Sequence, residues 1–176
     1  MLPKSLTYLT LIIFLLISAC KKSSPPTSLP SITQEGKNTF GCLINGKVFT
    51  PKKRFNSYDN LRANYSTIDR GTFNMSAPRS DGVNGEAVFF RSKGLMLAEG
   101  QTYKLGGDGI NGVMFASYLK TVNFNSTRYD SKDDISGEII ITKLTSKIIS
   151  GTFSFDAVSS DGVKVEIREG RFDLTL

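Results

Sequence analysis

The sequence predicts an all-β fold: a single antiparallel β-sandwich or β-barrel domain of about ten short strands, behind a signal peptide and a flexible linker. Three observations carry this reading. Asn-Gly or Asp-Gly pairs stand at Asn45-Gly46, Asp81-Gly82, Asn84-Gly85, Asp108-Gly109, Asn111-Gly112 and Asp161-Gly162. Such pairs supply the positive φ that both central positions of a type I′ hairpin turn require. The segments between them alternate apolar and polar residues with period two, the mark of a half-buried strand. No long stretch of the domain repeats its apolar residues at helical spacing.

The elements follow in chain order. Phe40, Cys42 and Ile44 alternate on one face of a strand at 39–44, and Asn45-Gly46 turns the chain into a second strand at 47–50. Further strands are expected at 61–68, 71–77, 86–92, 102–106, 112–124 and 135–144. The clearest alternation comes last. In ISGTFSFDA, Phe153, Phe155 and Ala157 oppose Thr152, Ser154 and Asp156. In VKVEI, Val163, Val165 and Ile167 oppose Lys164 and Glu166, and in RFDLTL, Phe172, Leu174 and Leu176 oppose Arg171, Asp173 and Thr175. Many short strands joined by tight turns make a sandwich or a barrel.

Three segments break the alternation: Val88-Phe89-Phe90, Val113-Met114-Phe115 and Ile139-Ile140-Ile141 are apolar on both faces. A two-layer sandwich covers one face of each strand, so the second face must meet the protein's own loops, a barrel lumen or a partner. In a barrel, Phe89, Phe115 and Ile141 would line the interior. In the opposite register Phe90, Met114 and Ile140 would do so, because a shift of one residue exchanges the faces. These six residues are the candidate ligand or partner surface.

Before the domain, Leu6 to Ala19 is a mostly apolar run preceded by Lys4. A membrane-spanning helix needs ~20 apolar residues, so this shorter run fits the apolar region of a secretory signal. It ends in Ile17-Ser18-Ala19-Cys20, which resembles the lipobox of bacterial lipoproteins. That resemblance implies cleavage before Cys20, acylation of its thiol and a firm membrane anchor, since several acyl chains hold where one binds reversibly. Lys21 and Lys22 then lie beside the anionic headgroups. The expected organisation is a signal peptide at 1–19, a lipidated Cys20 with a Ser/Pro-rich linker through residue 36, and a β-domain at 37–176.

The stretches FGCLINGKVFTP (Phe40–Pro51), IISGTFSFDAV (Ile148–Val158) and REGRFDL (Arg168–Leu174) resemble a family of small β-rich outer-membrane lipoproteins of Bacteroidota-type bacteria, a domain family of unknown function. The resemblance spans most of residues 39–176. It implies the β-fold and an envelope address, and it brings no catalytic residue with it. Some lipoproteins of such bacteria carry an acidic export signal after the cysteine. Lys21-Lys22-Ser23-Ser24 stands there instead, which implies a domain facing the periplasm.

Composition excludes several classes. The chain of 176 residues has no histidine, so Ser-His-Asp and Cys-His catalysis and every His-based metal site are ruled out. Without Lys4, 21 Lys and Arg face 16 Asp and Glu. These charges are dispersed, and the longest basic run is Lys52-Lys53-Arg54, so no nucleic-acid footprint is present. With Cys20 lipidated, Cys42 has no disulfide partner and reads as a small buried hydrophobe.

Four local patterns are weak. Gly107-Asp108-Gly109-Ile110-Asn111-Gly112 has GxGxxG spacing and, from Gly106, a single calcium-nonapeptide-like stretch. A strand pattern follows it where a dinucleotide site needs a helix, and calcium nonapeptides need stacked repeats. Ser117-Tyr118-Leu119-Lys120 matches SxxK, but on a strand i and i+3 face opposite ways. Asp130, Asp133 and Asp134 lack the Gly and Glu spacing of an EF-hand. No metal or cofactor site is expected.

The leading expectation is a non-catalytic, lipid-anchored envelope protein whose β-domain binds an envelope protein, a glycan or a small apolar ligand. The rivals are a carboxylate-dependent hydrolase and a structural accessory of an outer-membrane assembly. Cys20→Ala is expected to leave unprocessed precursor and to abolish metabolic labelling with radioactive palmitate. Equal labelling of the variant would refute the lipobox reading.

Overall fold

The computed structural model describes residues 28–51, 61–108, 110, 112–135 and 137–176. The signal segment, Cys20, Lys21, Lys22, the basic run Lys52–Arg54, Gly109 and Asn111 lie outside the described residues. The described chain forms eleven strands: β1 (Thr39–Ile44), β2 (Lys47–Phe49), β3 (Arg62–Ser66), β4 (Thr72–Ser80), β5 (Gly85–Lys93), β6 (Thr102–Lys104), β7 (Phe115–Val122), β8 (Asn125–Asp130), β9 (Gly137–Leu144), β10 (Ile148–Ser159) and β11 (Lys164–Thr175). One 3-10 turn spans Ile68–Arg70. No helix among the described residues is long and apolar enough to cross a membrane.

All eleven strands join one antiparallel sheet. Its main path runs β2-β1-β11-β10-β8-β7-β5-β4-β3, with β9 on β10 and β6 on β9. The twelve-residue β10 lies along β11 and offers its other edge to two strands in turn. Ile149–Phe155 pairs with β9, and Val158 and Ser159 pair with β8. The sheet forks there and curls into a half-barrel, bringing β3 at the far end of the path back against β11.

The inner face of the curl is packed solid. Phe90 of β5 meets Phe153 and Phe155 of β10 with ring centroids 4.9 and 5.7 Å apart. Those strands are not sheet neighbours, so the rings bridge the lumen. Phe40 continues the cluster to Phe153 at 5.3 Å and to Phe49 at 6.2 Å. Edge-on and tilted pairs of this kind add about 0.5–1.5 kcal/mol each beyond the apolar area they bury.

Turn chemistry explains the strand boundaries. Asn45 and Gly46 both have positive φ, 47° and 76°, and join β1 to β2 as a type I′ pair. Asn123 and Phe124 do the same between β7 and β8, with φ of 49° and 65°. A phenylalanine there costs about 1–2 kcal/mol that glycine would not. Phe124 is 75% exposed, and its amide donates to the Val83 carbonyl at 3.1 Å. The expected strand at 112–124 is therefore β7 alone, and β8 beyond it has no Asn-Gly signal to announce it. The last two expected strands are one. In β11 a bulge around Glu169, whose φ is 51°, shifts the phase, so that Val165 and Ile167 face inward before it and Phe172 and Leu174 after it.

Residues 28–36, expected as flexible linker, are held on the sheet. Asp173 of β11 is 1% exposed. Its carboxylate accepts hydrogen bonds from Thr33 Oγ1 (2.6 Å), the Glu35, Gly36 and Lys37 amides (3.1, 2.7 and 3.1 Å) and Ser150 Oγ (2.8 Å). Further along, Pro30 crosses Gly41 so closely that a Cβ at Gly41 would lie 2.5 Å from the proline ring. Composition marks 28–36 as linker. A single buried carboxylate 137 residues from Gly36 makes it a strap.

Burial works against ionisation of Asp173. The hydrogen bonds from Thr33, Ser150 and the Gly36 and Lys37 amides outweigh it and hold the carboxyl well below the usual aspartate range. A folded pKa below the unfolded value of ~3.9 contributes stability above that value, and the contribution is lost as the pH falls through it towards the folded pKa. Asp173→Asn is expected to lower unfolding free energy at neutral pH by about 2–4 kcal/mol and to flatten the fall in stability below pH ~4. Denaturant titrations across acid pH test this. Parallel pH profiles for the two proteins would refute the clasp.

Candidate binding groove on the outer sheet face

The pairing register places a compact group of side chains on the outer face of β4, β5, β7 and β8. Residues directly opposite in an antiparallel pair share a face. Asn74, Arg91 and Phe115 form one cross-strand row. Ser76, Phe89, Ser117 and Asp130 form the next, and Pro78, Ala87, Leu119 and Arg128 the third. Between them lies a depression of about 300 Å³ bordered by Phe89, Arg91, Phe115, Ser117, Leu119 and Arg128.

Phe115 lies at its centre. It points away from the core yet is only 4% exposed, because two cations cover it. The Arg91 guanidinium stands 4.7 Å from the ring centroid and that of Arg128 5.5 Å. Arg128 reaches across from the third row, and its Nε donates to Asp130 Oδ1 at 2.7 Å on the way. Guanidinium stacking on an aromatic face is favourable by about 0.5–1 kcal/mol at an exposed site.

The six apolar candidates do not divide into the two expected sets. Phe90, Met114 and Ile141 are buried together in the core. Phe89, Phe115 and Ile140 point outward from half-buried or covered positions. Phe89 and Phe115 meet at the groove, whereas Ile140 borders a separate depression beside Ile32 of the strap. The arginines were not singled out in the sequence, and Asp130 drew notice only as part of an acidic run with Asp133 and Asp134. Alternation predicts that Arg91 and Arg128 face outward, but their meeting over one ring depends on the register of three strands.

A larger cleft of about 630 Å³ lies across β6, β9 and β11, with Asp133, Asp134 and Glu138 on its border. Among the described residues no group of three or more His, Cys, Asp or Glu side chains is gathered to hold a metal. Where the surroundings displace a carboxyl pKa among the described residues, at Asp81, Glu86, Glu99, Asp156 and Asp173, the displacement is downward. Of the GxGxxG stretch, Gly109 and Asn111 lie outside the described residues; Gly112, just before β7, has its amide bonded to the Lys93 carbonyl at 2.9 Å. In the SxxK stretch Ser117 faces out from β7 and Lys120 lies on the opposite face, opposite Glu86.

One polar cluster closes the inner face. Tyr118 donates to Glu86 Oε1 at 2.6 Å, and Arg79 pairs with the same carboxylate while its guanidinium stands 4.7 Å from the Phe49 ring centroid. Burial pulls the Glu86 pKa up, but Tyr118 and Arg79 together bring it below the usual range. Nearby Cys42 is fully buried, and burial pushes its thiol up to about 12 against the opposing pull of Arg79.

The family model for a domain of unknown function, DUF6252, matches residues 67–173. That is more than half of the chain. The chain belongs to this family. The match covers β4 to β10 and most of β11, so the whole groove lies within the DUF6252 region. No curated protein and no solved structure matches the chain.

A thiol with a pKa near 12 is almost wholly protonated at neutral pH and does not act as a nucleophile. Cys42 is expected to resist N-ethylmaleimide in the native protein and to react fully once denaturant is added. Rapid native labelling would contradict its burial.

Proposed function

We propose that this DUF6252 protein is a lipid-anchored envelope protein of Bacteroidota-type bacteria, held at the outer membrane by Cys20 and facing the periplasm, whose β-domain is a non-catalytic binding module. The observation that carries the binding reading is the gathering of Arg91 and Arg128 over Phe115, beside Phe89 and Leu119, on a sheet face that no second layer of the described residues buries. Aromatic and arginine side chains are the types enriched where proteins bind. The packed rings of the inner face speak for a site on the surface over one in the lumen.

Two further observations weigh against the hydrolase alternative. A carboxyl that works as a general acid needs a raised pKa, and the displaced carboxyls here move the other way. The outer-face carboxylate Asp156 is engaged in ion pairs with Lys164 and Arg168, each at 2.6 Å.

The test places the photo-crosslinking residue p-benzoylphenylalanine at position 89 of the full chain in its own cells, with position 147 in the exposed β9–β10 turn as control. An ultraviolet-dependent adduct at 89, absent at 147, is expected whether the ligand is an envelope protein, a glycan or a small molecule. The absence of any adduct at 89 would favour the structural-accessory reading.

A further inference from the structure

We infer that the groove on the β4-β5-β7-β8 face takes an anionic group carried on a flat apolar body, a carboxylate or phosphate attached to a ring. The inference rests on the reading of this face as the binding face. It deepens that reading by naming the chemistry of what binds.

The charge pattern comes first. Arg91 and Arg128 both stand over the Phe115 ring, at 4.7 and 5.5 Å from its centroid, so the two cations are no further apart than those two distances together. Two cations gathered at one ring raise the positive potential of the groove. Asp130 answers only Arg128. Elsewhere Arg79 faces Glu86, Arg168 faces Asp156 and Arg171 faces Glu169. Among the described residues no carboxylate pairs with Arg91. The groove therefore carries an uncompensated positive charge, whereas Arg79, Arg168 and Arg171 elsewhere in the sheet each face a carboxylate.

The geometry of Arg91 comes second. Its guanidinium lies over an almost fully covered ring, 4.7 Å from the centroid, a contact that favours this placement of the side chain by about 0.5–1 kcal/mol. An ordered side chain loses less freedom on binding. The N–H edge of a guanidinium matches a carboxylate or phosphate with two parallel hydrogen bonds, and no carboxylate among the described residues takes that edge of Arg91.

The apolar wall comes third. Phe89 and Leu119 border the same depression as the two arginines. A hydrated inorganic anion would gain nothing from that wall, whereas a ring bearing the anion would cover it. At about 300 Å³ the depression sits at the small end of ligand sites, which suits one ring and its acid group. Ser117 and Asn74 at its edge add hydrogen-bonding groups for orientation.

Ligand-observed NMR titration of the full chain in detergent tests this, with benzoate, phenyl phosphate and neutral benzamide as probes. At least one of the two anions is expected to bind at least tenfold more tightly than benzamide. Arg91→Gln is expected to weaken that anion about tenfold, Arg91→Lys less, and Lys147→Gln not at all, with circular dichroism unchanged throughout. A preference for benzoate assigns the natural group to carboxylates, and a preference for phenyl phosphate assigns it to phosphates. The inference is overturned if benzamide equals the anions, if Arg91→Gln leaves anion affinity unchanged, or if no anion binds. Loss of anion binding with the position-89 adduct retained would sink the ligand class alone. Loss of both would sink the reading of the face itself.

Discussion

The architecture depends on one mismatch of length. β10 runs for twelve residues, too long to be matched by any single neighbour on its outer edge, and that edge is divided between β9 and β8. The two branches that start from this edge, β9-β6 and β8-β7-β5-β4-β3, diverge from one another. The fork forces the β8-β7-β5-β4-β3 wing to swing round, and only then can Phe90 of that wing reach Phe153 and Phe155 on β10. The aromatic cluster holds the curl closed, and the curl brings the rings together. The same swing leaves the back of the wing uncovered by any other described strand, and the groove lies there.

Electrostatics completes what apolar packing leaves open. Carboxylates mark points where the fold would otherwise fray, and each is matched by donors. Asp173 joins the strap to β10 and β11, Glu86 ties β4 to β5 and β7, and Asp156 on β10 gathers Lys164 and Arg168 of β11. Burial alone would favour the protonated form of each. The local donors prevail, so each remains an anion whose removal would strand several N–H and O–H groups. Arg91 stands apart from these three clusters: its guanidinium lies over Phe115, and no ion pair among the described residues engages it.

The fold was legible in the sequence wherever the chain uses a local signal. β1 and β2 follow from Phe40, Cys42 and Ile44 and the Asn45-Gly46 turn, and the end of β10 follows from its alternation and Asp161-Gly162. What escaped depended on exceptions to those signals. Phe124 occupies a conformation usually left to glycine, so β8 was hidden. The Glu169 bulge reverses the phase of β11, which made one strand look like two. The strap was hidden because Thr33, Glu35 and Gly36 carry no apolar pattern, and the aspartate that binds them lies at the far end of the chain. The groove was half legible. Doubly apolar segments pointed to Phe89 and Phe115, but Ile141 and Ile140 fall elsewhere, and no local pattern could bring Arg91 and Arg128 together over one ring.

The clasped strap also sets a leash. With a lipid on Cys20, as proposed, a linker free up to residue 37 would let the domain roam to a contour of about 55–60 Å from the bilayer. With the chain packed against Gly41 from Leu29 onward, the remaining nine steps allow at most about 30–32 Å. Halving the radius of a tether cuts the volume it explores roughly eightfold and raises the local concentration of the domain for anything else fixed to that membrane accordingly. A carboxylate buried in the last strand would thus govern how near the surface the protein works and which neighbours it can meet.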